Sequence, residues 1–230
     1  MNLLSGCISG ISEVLITHPI DFIKTRKQQG YSFSTNKENY TIKDYYKGIN
    51  SRFVGIVPMR TVFWSSQDIT EKYLKNGNIN PKYNFIIKGT VSSFFQTIID
   101  NPIEVKKIAG MSRIKTGNNF KTLYKGFSYN LIRNNIFANI FCYGSQINKD
   151  NKYNILLNSF FWGSIGAIVS HPFDYLKTLK QSPEINDKRQ ILEIMKTTPL
   201  HFYTRGIVSR TLFVGMTSII GYPIFKFFNN

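Results

Sequence analysis

A proline followed two residues later by an acid and five residues later by a lysine occurs three times in the chain, as HPIDFIK from His18, NPIEVKK from Asn101 and HPFDYLK from His171. Recurrence of this kind constrains architecture more than local propensity does, because copies of one supersecondary unit bury a shared face only by stacking on one another. The flanks recur as well. Nine residues before each proline stands a small residue, Gly10, Ser93 or Gly163, and four residues earlier another, Gly6, Gly89 or Ser159. Small residues four apart let helix backbones approach closely. After each motif comes a short basic and polar stretch, then an aromatic and glycine marker ending at Gly48, Gly126 and Gly206, and each glycine opens a new apolar run. The chain therefore reads as all-α, three tandem copies of helix, polar connection, helix, over 1–83, 84–152 and 153–230.

Six apolar segments, starting near Leu3, Ser51, Phe85, Phe127, Ile155 and Ile207, each run about 20 residues, enough for a hydrocarbon layer of about 30 Å. The mean hydropathy of −0.17 is low for helices that face lipid all round. Helices that line a water-filled cavity carry polar residues on one face and dilute the signal in this way. The sequence thus predicts an all-α membrane protein, with a soluble helical bundle as the alternative.

Charge narrows the partners. Lys and Arg number 29 against 13 Asp and Glu, a net charge of +16, which favours anionic solutes, anionic lipid or nucleic acid. Two cysteines, Cys7 and Cys142, make neither a disulfide framework nor a metal spacing, and His18, His171 and His201 have no ligand-spaced partners, so no metal and no cofactor is expected. No glycine-rich phosphate loop, nucleophile elbow or catalytic dyad is present, which argues against an enzyme. The N-terminal stretch has no basic n-region and no Arg-rich presequence, so no cleavable address is expected. The abundance of residues with AT-rich codons, Asn, Lys, Ile and Tyr, points to an AT-rich genome such as that of a parasite or a large DNA virus.

The three motifs, the small-residue pairs and the glycine markers, in one consistent order over nearly the whole chain, resemble the mitochondrial carrier family. That resemblance implies a six-helix barrel with pseudo-threefold symmetry in the mitochondrial inner membrane, working as a single chain, bound by anionic lipid such as cardiolipin, and exchanging solutes by alternating access. It also implies roles. Pro19, Pro102 and Pro172 would bend the odd helices so that they converge. Asp21, Glu104 and Asp174 would pair with Lys107, Lys177 and Lys24 across repeats as a matrix gate, braced by Gln28 and Gln181, with Met111 in the third brace position. Ion pairs suit a gate because desolvation nearly offsets their attraction. The second, cytoplasmic gate is degraded here, with Asp68 on the second helix, Gln146 and Lys149 on the fourth and only Lys226 on the sixth.

The resemblance further places solute contacts on the even helices, one and two turns after each glycine marker: Arg52 and Gly55, Asn130, Arg133 and Asn134, Arg210 and Phe213. Arg60 is an additional candidate. Three arginines in a low-dielectric cavity call for an anion, whose oxygens their forked donors match. Gly55 would leave room beside them, while Phe213 and the amides of Asn130 and Asn134 would stack on or hydrogen-bond a planar base. Glu13, inside the first span, reads as neutralising an arginine or sitting at a helix interface in preference to contacting a cationic solute. The expected solute is therefore a nucleotide or deoxynucleotide. The alternatives are a di- or tricarboxylate, S-adenosylmethionine or an amino acid and, outside transport, a basic helical protein that binds nucleic acid. Carbonate extraction separates the last from the rest.

Overall fold

The computed structural model describes residues 3–30, 41–76, 83–147, 152–183, 193, 196 and 204–229, without the side chains of 3–10, 145–147, 152–156 and 221–229. Long helices dominate: α1 (Leu3–Gln29), α3 (Ile49–Asn76), α4 (Asn84–Met111), α6 (Phe127–Ile147), α7 (Lys152–Val169), α8 (His171–Gln181) and α9 (Ile207–Asn229). Two single turns, α2 (Ile42–Tyr45) and α5 (Phe120–Leu123), precede α3 and α6. No strand occurs among the described residues.

Neighbour contacts run in a closed ring. α1 packs on α3, α3 on α4, α4 on α6, α6 on α7 and α8, α7 on α9, and α9 returns to α1. Close approach depends on small residues. A Cβ on Gly89 of α4 would lie 2.2 Å from the Asn139 side chain of α6, and one on Gly163 of α7 would lie 2.5 Å from Ser218 Oγ of α9. The side-chain faces of Gly6 and Gly10 lie outside the described residues.

The three motif prolines are housed differently. Pro19 and Pro102 lie inside continuous helices, as does Pro58 of α3, which the motif analysis did not single out. The third motif was expected to bend its helix and instead interrupts it: α7 ends at Val169 and α8 begins at His171 with Pro172 in its first turn. A proline costs no hydrogen bond there, because first-turn amides have no intrahelical acceptor.

The ring is inverted relative to a water-soluble bundle. On α4, Ser92, Ser93, Thr97, Asp100, Glu104 and Lys107 are buried, while Phe94 and Phe95 are 46% and 48% exposed. The outward faces of the other helices are likewise apolar, with Leu15 and Ile16 on α1, Val54 on α3, Phe161 and Ile168 on α7, and Val208 and Leu212 on α9. Apolar clusters occur mainly at helix seams, Val14 with Ile56 and Met59, and Tyr175 with Leu176 and Leu179. Six membrane-crossing segments were expected, but no helix among the described residues is long and apolar enough to cross a membrane. α1, α3 and α4 have 27 or 28 residues, about 40 Å at 1.5 Å per residue. The shortfall in those three therefore lies in apolarity, and it arises from the polar inward face.

The glycine markers close this ring at one end. Gly48, Gly126 and Gly206 have φ of 82°, 77° and 80°, the left-handed region that residues with a Cβ enter at a cost of about 1–2 kcal/mol. Each sits against a different helix: Gly48 against Lys107 and Met111 of α4, Gly126 against Gln181 of α8, Gly206 against Gln28 of α1. A Cβ on Gly48 would stand 2.6 Å from the Lys107 carbonyl oxygen. Gly48→Ala is therefore expected to lower the unfolding midpoint in detergent by several degrees. Gly117→Ala, where the nearest atom is 3.9 Å away, serves as the control and leaves the midpoint within a degree or so.

Near the same end, Asp44 clasps α2 to α4. It accepts hydrogen bonds from the Thr41 amide and hydroxyl at 2.8 and 2.7 Å, from Lys47, and from Arg113 Nη2 at 2.7 Å. The bonds from Lys47 and then Thr41 hold its carboxyl well below the ordinary carboxylate range.

Candidate functional site

The motif charges meet where the helices converge. Lys107 Nζ of α4 donates to Asp21 Oδ2 of α1 at 2.8 Å, Lys177 of α8 donates to Glu104 of α4, and Lys24 Nζ of α1 lies 2.7 Å from Asp174 Oδ2 of α8. The pairs form a cycle through three helices, and none of the six side chains exceeds 6% exposure. Glu104 accepts also from Lys107 at 2.7 Å and Arg52 at 3.1 Å. Each acid stands three residues before its lysine, a spacing that puts both on one face of the helix end.

The two glutamines take different places. Gln28 donates to Asp174 Oδ2 at 2.8 Å and accepts from the Thr178 hydroxyl at 2.8 Å, so it holds the Lys24 pair directly. Gln181 donates to Asn101 Oδ1 at 3.0 Å and to the Lys125 carbonyl at 3.2 Å, and touches no ion pair. Gln29, unremarked in the sequence, donates to Ser112 and Ser182 hydroxyls at 2.9 and 3.1 Å, joining the ends of α1, α4 and α8 beyond the charges. The residue before the motif proline acts as a turn brace in two copies: His18 Nε2 lies 3.0 Å from the Lys47 carbonyl, and Asn101 Nδ2 donates to Leu123 and Lys125 carbonyls at 2.8 and 3.4 Å.

A cavity of about 120 Å³ lies over the ion pairs, lined by Arg52, Arg60, Arg133, Asn134, Arg210 and Phe213 as well as by the motif charges Asp21, Lys24, Glu104 and Lys107. All three expected arginines reach it, and each already has acids as partners. Arg52 pairs with Glu104, and its guanidinium lies 5.6 Å from the centre of the Phe213 ring. Arg133 spans Asp100 at 3.1 Å and Asp174 at 3.2 Å. Arg210 lies 3.5 Å from Asp174 and donates to Ser170 Oγ at 2.6 Å. Arg60 places one nitrogen 2.7 and 2.6 Å from the two Glu13 oxygens, so Glu13 neutralises an arginine.

Two expected solute contacts lie off the cavity wall. Gly55 does not make room there: a Cβ on it would stand 2.3 Å from Ile103 Cδ1, so its lack of a side chain serves the α3–α4 seam. Asn130 is fully buried and donates to Asp100 and Asn101 at 3.3 and 3.2 Å. Asn134 lines the cavity, yet its amide donates to Thr97 Oγ1 at 2.9 Å and its oxygen accepts from Arg133 at 2.7 Å. Phe213 lies beside Arg52, and the amide nitrogens of Asn130 and Asn134 are spent on acceptors within the protein. Asp100, two residues before Pro102, is the acid that the motif search passed over. Its signal was a single acid ending the apolar run before the proline.

At the other end, Asp68 is exposed on α3, one residue past buried Gln67 and four past cavity-lining Trp64. Gln146 lies in α6 with its side chain outside the described residues, as are Lys149 and the Lys226 side chain. The described ion pair nearest Asp68 that crosses helices is Glu71 with Lys88 at 2.7 Å, from α3 to α4.

The charge of the cavity wall is unequal. Six cations line it, Lys24, Arg52, Arg60, Lys107, Arg133 and Arg210, against four acids, Glu13, Asp21, Asp100 and Glu104, an excess of two positive charges. Asp174 and Lys177 behind the wall offset each other and leave the excess unchanged.

The family model described as mitochondrial carrier protein matches residues 1–78. The mitochondrial 2-oxodicarboxylate carrier of Rattus norvegicus is 28% identical over 224 residues, covering 78% of this chain and 74% of that protein. A mitochondrial substrate carrier family protein of Dictyostelium discoideum is 26% identical over 81% of this chain and 74% of its own length. The mitochondrial aspartate-glutamate transporter of Saccharomyces cerevisiae is 30% identical over 119 residues, 46% of this chain and 13% of that protein. The chain is thus similar to mitochondrial carriers over most of its length.

Proposed function

We propose that this chain carries a small dicarboxylate across the mitochondrial inner membrane, the compartment of the family it resembles. The observation that carries the substrate class is the excess of two positive charges on the cavity wall. A dianion balances that excess, a monocarboxylate leaves one cation uncompensated in a low-dielectric site, and a nucleoside triphosphate overshoots it. The name of one group of matching relatives, 2-oxodicarboxylate carrier, supports the same class. The nucleotide reading made from the sequence loses its basis, because Asn130, Asn134 and Phe213 are engaged within the protein.

The mechanism follows from the partner sets. The cycle of Asp21, Lys107, Glu104, Lys177, Asp174 and Lys24 is the gate on the matrix side, and the three copies, 1–83, 84–152 and 153–230, are the units that move. Arg52, Arg133 and Arg210 each bind a gate acid, directly linking cavity to gate. A solute carboxylate that draws these arginines away from Glu104 and Asp174 weakens the pairs that hold α1, α4 and α8 together. Closure by ion pairs suits this exchange, since their desolvation cost offsets most of their attraction. The apolar outward faces and polar interior support immersion in lipid despite the modest hydropathy of each helix.

Uptake by proteoliposomes, preloaded with unlabelled solute and offered labelled mono-, di- and tricarboxylates, amino acids and nucleotides, tests the reading. Dicarboxylates are expected to exchange at least about tenfold faster than the other classes. Fastest exchange of a nucleotide or a monocarboxylate would remove the charge argument.

A further inference from the structure

Two acids of the cavity wall lie outside the three motifs, Glu13 and Asp100. Glu13 is covered by both contacts from Arg60. Asp100 is 2% exposed, and its Oδ2 accepts from Arg133 Nη2 at 3.1 Å and Asn130 Nδ2 at 3.3 Å. Arg133 is thereby divided: Nη1 goes to the gate acid Asp174, Nη2 to Asp100 and Asn134, and buried Nε has no hydrogen-bond partner. Asp100 contributes a full negative charge to the wall and makes none of the gate pairs. Neutralising it leaves the gate cycle intact and raises the excess on the wall from two positive charges to three.

We propose that Asp100 is the residue that sets the charge of the transported solute, matching the wall to dianions and competing with a solute carboxylate for Arg133. The competition has a geometric basis, since Asp100 Oδ2 occupies the Arg133 Nη2 donor that an incoming carboxylate oxygen would take. With aspartate at position 100, a third solute carboxylate meets a wall that two already balance. With asparagine there, that third carboxylate competes for Arg133 Nη2 only with neutral amide oxygens, that of Asn134 among them. The proposal rests on the reading of the cavity as an anion site, and it extends that reading from solute class to the residue that chooses among classes.

The test uses the full chain, with Asp100→Asn and Asp100→Glu beside the parent, in proteoliposomes at fixed salt and neutral pH. Initial rates are taken for mono-, di- and tricarboxylates of similar size. The parent and Asp100→Glu are expected to favour dicarboxylates, and Asp100→Asn to raise the tricarboxylate-to-dicarboxylate ratio by at least about tenfold, as one unit charge at close range in protein demands. A residue that merely braced Arg133 would alter all rates together, so an unchanged ratio with transport retained overturns the proposal. If Asp100→Asn does not transport, the rise in unfolding midpoint on adding the same acids reads binding instead. A larger rise with tricarboxylate than with dicarboxylate supports the proposal, and the parental order overturns it. Should the parent carry nucleotides and no carboxylate, the dicarboxylate reading falls by itself. Asp100 is then judged by whether Asp100→Asn moves preference to the nucleotide with one more negative charge.

Discussion

Glu104→Gln is expected to lower the unfolding midpoint by on the order of 10 °C and to abolish transport. Glu104 accepts from Lys177, Lys107 and Arg52 at once, and it is 4% exposed. Lys107 keeps Asp21 when that charge is removed, but Lys177 and Arg52 lose their only acids among the described contacts. Two buried cations are then left uncompensated beside a third. Breaking a buried pair by deleting one member costs about 3–5 kcal/mol, and a chain of this size loses about 2–4 °C per kcal/mol. Thermal unfolding of parent and variant in the same detergent measures the effect. Glu104→Asp, which keeps the charge among Lys107, Lys177 and Arg52, is expected to retain a good part of the midpoint. A midpoint for Glu104→Gln within about 2 °C of the parent would mean that water enters the cycle and that these charges do not hold the ring closed.

Arg133→Ala is the second large effect, with exchange of the favoured solute expected to fall by about a hundredfold or more. A truncated guanidinium removes one bidentate partner for the solute and leaves Asp100 buried without a cation. Asp174 is less exposed to the change because Lys24 and Arg210 remain beside it. The two consequences separate in a double-variant cycle. Adding Asp100→Asn to Arg133→Ala is expected to recover most of the lost stability, since the orphaned carboxylate is gone, while transport stays low because the solute still lacks its arginine. Recovery of transport along with stability would show that Arg133 serves only to neutralise Asp100.

The contacts easiest to read in advance were those that repetition and local spacing impose. An acid and a lysine three apart share a helix face whatever the rest of the chain does, and three such faces at the ends of converging helices have few partners besides one another. The glycine markers belong to the same group, because a left-handed turn between a short polar connection and a new helix selects glycine locally. The membrane question was harder to read from hydropathy, since averaging along a helix mixes the apolar outward face of α4 with its serines, Thr97 and Asp100.

Legible in the sequence were thus the all-helical content, the positions of the glycine turns and the cationic excess, all of which follow from local spacing and composition. Tertiary structure alone decided which acid each arginine meets, that Gly55 serves the contact with Ile103 and not the cavity, and that Asn130 and Asn134 are spent inside the protein. The physical reason is reach. An arginine can place its guanidinium on any acid within several ångströms of its helix, so the partner is chosen by how neighbouring helices cross and how closely they pack, quantities set by residues far apart in the chain. Asp100 shows the consequence: an unremarkable acid ending an apolar run becomes, once α4 packs on α6, the counter-charge of Arg133 and part of the charge of the cavity.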